Sequence, residues 1–224
     1  MDHLKIYQFD KKIRYGAKCD GGYVVGVLNG YDCYISAGIS NEESFSSDFL
    51  NNNSIEFSYG FDGTIEDYPY EYTRKVKFIK KNINSFNDDF NTDLSDLLSK
   101  FNNIFLKMDI EGGEYPWILS LKQDQLTSIK QIVIEFHDLW DNRLGYTPEQ
   151  KKECIERLNS HFYLVHAHGN VYGGTTNGVP NVIELTFINK KCFTEQPGLN
   201  KSRLPIKDLD YSNCPYREDI PLNF

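Results

Sequence analysis

Apolar residues along this chain fall into two alternating patterns, short runs that fit strands and stripes that fit helix faces. Ile104, Phe105, Leu106 and Met108 make a nearly continuous run, as a strand buried on both faces of a parallel sheet requires. It stops at Asp109. Gly112 and Gly113 then permit a tight turn, Pro116 suits a first helical turn, and Ile118, Leu119 and Leu121 continue as an apolar helical face. The same alternation runs through the rest of the chain. Residues 10–35, around Asp20-Gly21-Gly22, predict a hairpin leading into a core strand at Cys33, Tyr34 and Ile35. Ser40 with Glu43 fits a capping box ahead of Phe45, Phe49 and Leu50 at helical spacing. A strand from Ile55 to Tyr59 ends in Gly60-Phe61-Asp62-Gly63, and a third is expected from Lys75 to Ile79. Leu94, Leu97, Leu98 and Phe101 predict a helix with Thr92 or Asp93 as cap.

Past the Asp109 turn, the run from Ile129 to His137 predicts another buried strand, and Thr147-Pro148-Glu149-Gln150 a helix start whose core side carries Ile155 and Leu158. Strands from Phe162 to His168 and from Pro180 to Ile188 flank a glycine-rich loop. Strands alternating with helices, then two strands joined by a loop, give a doubly wound α/β sheet closed by an antiparallel edge hairpin. One domain over 1–224 is expected, with a small β element in 1–30 and an extended strap over 194–224 held by Leu204, Ile206 and Tyr211.

Composition narrows the function. A net charge of −8 disfavours general nucleic-acid binding, which needs a basic surface. Hydrophobic content is 40% and no apolar run approaches about 18 residues, so no membrane span is expected. The N-terminus MDHLKIYQFDKK lacks the apolar core of a signal peptide, so a cytoplasmic location is expected. Five widely spaced cysteines without a C-x-x-C pair read as free thiols.

Polar groups end several of the expected strands: Asp109, the pair Glu135 and His137, and the series His166, His168 and Asn170. In an open α/β sheet, strand carboxyl ends border the ligand crevice, where Glu111 and Glu114 would also be displayed unless they merely favour a helix N-terminus. Residues two apart on a strand share a face, so Glu135 and His137 can act together. Glu135 interrupts an apolar strand and needs a cation, a metal or a hydrogen-bond donor. Asp109, Glu135 and His137 supply O, O and N ligands suited to Mg²⁺ or Mn²⁺; the alternative is a metal-free Glu–His pair. Asp62 follows Gly38 by 24 residues, a spacing close to that between a glycine turn and a ribose-binding acid. The turn Ala37-Gly38-Ile39-Ser40 is not G-x-G-x-x-G, which disfavours NAD and suits a nucleoside cofactor without phosphates.

The segments DGGYVV at 20–25, ISAGISNEESFSSDF at 35–49, GFDGT at 60–64, FLKMDIEGGEYPWI at 105–118, QIVIEFHDL at 131–139 and HAHGN at 166–170 resemble the FkbM-type S-adenosylmethionine-dependent methyltransferases. The resemblance implies a Rossmann-like, mostly parallel seven-stranded sheet and methyl transfer to an oxygen, often on a sugar; the expected acceptor is a sugar that is nucleotide-linked or in a polysaccharide. It places Gly38 and the backbone near Ser36 against the methionine part of the cofactor, Asp62 on its ribose and Asp109 beside the methyl group. A metal on Asp109, Glu135 and His137 could bind and acidify an acceptor hydroxyl, with His168 as candidate base; without a metal, His137 or His168 would be a simple general base. Arg14, Lys18 and Arg143 are candidate cations for a nucleotide diphosphate. A non-sugar hydroxyl acceptor, a catalytically silent binding module and a homo-oligomer all remain compatible with the sequence.

Overall fold

The computed structural model describes residues 2–69 and 76–222. A hairpin of β1 (Lys12–Tyr15) and β2 (Tyr23–Gly26) precedes the first sheet strand, β3 (Cys33–Ala37). Then come α1 (Ser44–Asn52), β4 (Phe57–Phe61), β5 (Lys77–Ile79), the two-residue strands β6 (Asn82–Ile83) and β7 (Asn91–Thr92), and α2 (Ser95–Lys100). The strand β8 (Ile104–Met108) leads into α3 (Glu114–Ser120) and α4 (Gln123–Ser128). After β9 (Ile129–Phe136) and α5 (Pro148–His161), the chain forms β10 (Phe162–Gly169), the short pair β11 (Thr175–Thr176) and β12 (Val179–Pro180), and β13 (Ile183–Asn189).

Seven strands lie in the order β10-β13-β9-β8-β3-β4-β5. Those from β9 to β5 pair in parallel, while β13 runs antiparallel to both β9 and β10. This is a Rossmann-like, mostly parallel sheet. The hairpin turns back inward, so that β13 lies between β9 and β10 and β10 forms the edge. Alternation along β3 sends Tyr34 to one face and Ile35 to the other, and Phe105 and Leu106 of β8 divide in the same way. One face packs Tyr34 and Phe105 against Phe45 and Phe49 of α1, with the Phe49 and Phe105 ring centroids 4.0 Å apart. The other packs Ile35, Leu106 and Ile132 against Tyr115 and Trp117 of α3 and Ile155 and Leu158 of α5.

Three local expectations are corrected. Ser40 and Glu43 form no capping box: α1 starts at Ser44 without a side-chain cap, because Glu43 turns inward to hydroxyl donors. The second strand runs Phe57–Phe61, so Gly60 and Phe61 lie inside it and Asp62 follows it directly. Leu94 has a left-handed φ of +63° ahead of α2, which begins at Ser95, whose amide donates to Asp93. Of the strand expected from Lys75 to Ile79, Lys75 lies outside the described residues. The segment after β13 is mostly irregular; an isolated bridge from Tyr7 to Leu199 joins it to the N-terminal stretch, and a second, Leu204 to Leu222, closes it on itself. Leu204 is buried, Ile206 packs against the main core, and the Tyr211 ring faces Arg14 and Lys18.

Candidate active site

Strand register lines up the polar strand ends. Ala37 pairs with Met108 and Met108 with Ile134, so Gly38, Asp109 and Glu135 follow at one level; Glu135 then pairs with Glu184, and Glu184 with His168. The sheet strands meet in reversed order between β3 and β8, the switch point where open α/β sheets hold ligands. A cleft of ≈ 450 Å³ opens there, within the usual span for small-molecule sites. On the β4 side it is lined by Phe61, Asp62, Thr64 and Asn82, in the middle by Gly38 to Ser40, and on the β8 side by Asp20, Tyr23, Asp109 and Glu111.

Gly38 is required by backbone approach. At φ +78°, an added Cβ would lie 1.5 Å from the Asp109 carbonyl oxygen, so this glycine lets β3 and β8 close together while it lines the cleft. Ser36 lies a layer deeper. It is fully buried and donates to Glu43 at 2.9 Å, and its side chain is not among the cleft walls. Burial pushes the Glu43 carboxyl up, against the nearby Lys107 charge and the hydroxyls of Ser46, Tyr68 and Ser36. Lys107, buried on the opposite strand, donates to the Gly38 carbonyl at 2.5 Å.

Asp62 accepts at one oxygen from the amides of Ile39 and Ser40, both at 2.9 Å, and at the other from the Thr64 amide at 2.7 Å and hydroxyl at 2.5 Å. Burial opposes its ionisation, yet these hydrogen bonds outweigh it and hold the carboxyl below its usual range. All four acceptor positions are in use. The sequence could not indicate this, because three of the four donors are backbone amides.

Asp109, Glu135 and His137 converge: one ligand atom from each lies within 4.8 Å of the others. His137 Nε2 is 3.8 Å from Asp109, 3.6 Å from Glu135 and 3.4 Å from Glu111. These spacings exceed a hydrogen bond. The groups therefore surround a gap. Asp109 and His137 are fixed at their outer atoms, since Tyr23 OH donates to Asp109 Oδ2 at 2.9 Å and His137 Nδ1 meets Glu114 at 2.8 Å, whereas Asn170 Nδ2 donates at 3.0 Å to Glu135 Oε1, the oxygen that faces His137. Burial, reinforced by Asp109 and Glu184, pushes the Glu135 carboxyl well above its ordinary range. Burial alone would lower His137, but the hydrogen bond and charge of Glu114, with Glu135 and Asp109, raise it to about 10. Nothing in the apolar-looking segments around Tyr23 marked it as a partner of Asp109.

The other candidates lie apart. His168 is bonded at both ring nitrogens, to Glu184 at 3.0 Å and Asp219 at 2.8 Å, and is held charged with a pKa of about 10. A charged imidazole with both N–H groups engaged cannot accept a proton, so His168 is set aside as a base. His166 pairs with Asp210. Arg14 donates to the Ala17 and Cys19 carbonyls, Lys18 faces Tyr211, and Arg143 is paired with Asp138 and Asp141. None of these three cations lines the cleft.

The model of the methyltransferase FkbM domain matches residues 17–165, about two thirds of the chain. The chain belongs to this family. This FkbM-domain protein is thus an S-adenosylmethionine-dependent methyltransferase, and its cleft opens at the β3/β8 switch point. Solved structures that resemble it include the fibrillarin pre-rRNA processing protein of Methanococcus jannaschii, at 11% identity and TM-score 0.44 over 73% of this chain and 69% of that one. A TehB-like SAM-dependent methyltransferase from Corynebacterium glutamicum is 16% identical, with TM-score 0.42 over 73% and 83% of the two chains. No curated protein matches the sequence. Among the described residues, no helix is long and apolar enough to cross a membrane.

Proposed function

We propose that this FkbM-domain methyltransferase methylates a hydroxyl of a sugar, nucleotide-linked or within a polysaccharide, at the β8 side of the cleft, with a divalent ion, Mn²⁺ or Mg²⁺, held by Asp109, Glu135 and His137. The observation that carries this reading is the continuity of one cleft from Asp62 and Asn82 to Asp20, Tyr23, Asp109 and Glu111, with the three-ligand gap against its acidic end. Hydrogen-bond acceptors dominate that end, which suits a ligand bearing several hydroxyl donors. The donor set fits a hard or borderline cation: ligands about 2.0–2.2 Å from a metal lie roughly 3–3.5 Å from one another, near the spacings around His137 Nε2.

The cofactor supplies an electrophilic methyl group. An ion in the gap would supply a Lewis acid for acceptor hydroxyls. The chain's own residues do the remaining work by alignment, worth several orders of magnitude when reacting atoms are held in line. Asp109, fixed by Tyr23, accepts a hydrogen bond from the acceptor hydroxyl, and Glu111, whose side chain is 85% exposed, passes the released proton to water. Asp62 holds the Ile39–Ser40 amides against the cofactor and meets its ribose once the Thr64 hydroxyl rotates away.

Incubation with S-adenosylmethionine and a panel of nucleotide sugars and oligosaccharides, with Mn²⁺, Mg²⁺ or EDTA, read by mass spectrometry, tests the reading. A methylated sugar whose formation stops on chelation is the expected result. Failure of every sugar in a protein that binds the cofactor sinks the acceptor class, and full activity after EDTA sinks the ion. Asp62→Ala should weaken cofactor binding by about 1–3 kcal/mol in calorimetry, and an unchanged Kd removes Asp62 from the site.

A further inference from the structure

Glu114 is a carboxylate that the cleft does not use. It is fully buried on the first turn of α3, and α3 has no side-chain cap at its N-terminus. One oxygen meets His137 Nδ1 at 2.8 Å; among the described residues the other has no hydrogen-bond partner. A lone buried carboxylate with a single partner costs several kcal/mol in desolvation. The next residue holds the same histidine from its other end, since Tyr115 OH donates to the His137 carbonyl. Two consecutive side chains of α3 thus fix both the ring and the backbone of one residue on β9's carboxyl end. The turn between Asp109 and Glu114 sets this up: Glu111 at φ +54° and Gly112 at φ +102° reverse the chain, so Glu111 faces the cleft mouth and Glu114 turns beneath it.

We infer that Glu114 is a positioning residue: its carboxylate holds Nδ1–H of His137, so that Nε2 is the atom presented to the gap between Asp109 and Glu135. This rests on reading that gap as an ion site. A histidine ligand needs its second nitrogen bound to an acceptor to fix ring orientation and raise basicity, and loss of such a partner costs 10–100-fold in metal affinity or activity. Glu114 is five residues after Asp109, so one strand, turn and helix carry both a ligand and the group that aims another.

The test measures Mn²⁺ affinity by calorimetry on the full chain and its Glu114→Gln and Glu114→Ala variants, beside cofactor affinity and melting temperature. Mn²⁺ binding should weaken at least tenfold in Glu114→Gln and further in Glu114→Ala, while Glu114→Gln keeps its cofactor Kd. Mn²⁺ affinity within threefold of wild type in Glu114→Gln overturns the inference. A second measurement needs neither a metal nor a Glu114 variant: proton NMR of the metal-free wild type should show a downfield, slowly exchanging His137 Nδ1–H, assigned by its loss in a folded His137→Ala protein. Its absence overturns the role of Glu114 even if Mn²⁺ binds. Its presence in a protein that binds no Mn²⁺ sinks the ion site and leaves Glu114 as the group that orients His137.

Discussion

His137 and His168 are both buried imidazoles among carboxylates at the same end of the sheet, and in both the carboxylates outweigh burial and lift the pKa to about 10. They differ in what their ring nitrogens meet. At His168 both are satisfied, by Glu184 and Asp219 at hydrogen-bonding distance. His137 has one satisfied nitrogen, at Glu114, and another facing three carboxylates at 3.4–3.8 Å. A closed pair offers nothing to a ligand and ties the C-terminal segment to the sheet through Asp219. An open one beside a cleft keeps a ring nitrogen without a hydrogen-bond partner among the described residues. A histidine at a strand end therefore says little about chemistry until both ring nitrogens are accounted for.

The largest expected effect separates the two histidines by rate. Asp109→Ala and His137→Ala should each lower methylation roughly 10²–10⁴-fold, the range for removing a group that acts on the transferred proton or its acceptor. His168→Ala, measured as initial rate per folded molecule, should stay within a few fold of wild type. An equal loss in His168→Ala would erase the distinction between an open and a closed site.

Stability separates them in the other direction. Removing the charged partner from a buried ion pair costs about 3–5 kcal/mol, and His168→Ala should show such a loss in urea unfolding near pH 6. The pH dependence follows from the sign of the shift. His168 has a folded pKa raised to about 10, above its unfolded value of 6.5, so its contribution is fully present below about pH 6.5 and is lost as pH rises toward 10. The difference in stability between wild type and His168→Ala should shrink over that interval. A difference that grows with pH contradicts the charged pair.

Much of the frame was legible in the sequence because burial on both faces of a parallel strand demands an unbroken apolar run, and Ile104–Met108 is one. The shared face of Glu135 and His137 was equally legible from their spacing of two. The roles of Glu111 and Glu114 were not. Both sit in the same acidic turn, and which one enters the cleft is decided by left-handed backbone at Glu111 and Gly112. Nor could the sequence show that His168 is closed, since Asp219 lies 51 residues away in an irregular segment. The capping box expected at Ser40 failed because Glu43 found hydroxyl partners inside the sheet layer.

The smallest effect tests the closed pair at its weaker arm. Asp219 is 18% exposed where Glu184 is 5%, so water already screens part of its charge. Asp219→Asn keeps an oxygen able to accept from His168 Nε2–H and removes only the charge. It should cost about 1 kcal/mol, the worth of an ordinary hydrogen bond's electrostatic share. It should also lower the folded pKa of His168, so that the loss of stability on raising pH still starts near pH 6.5 but is smaller and complete at a lower pH than in wild type. A loss as large as that of His168→Ala would place the whole pair on Asp219 and leave Glu184 as the incidental partner. No change at all, in stability or in its pH profile, would show that the tie between the C-terminal segment and β10 rests on the buried Glu184 side alone.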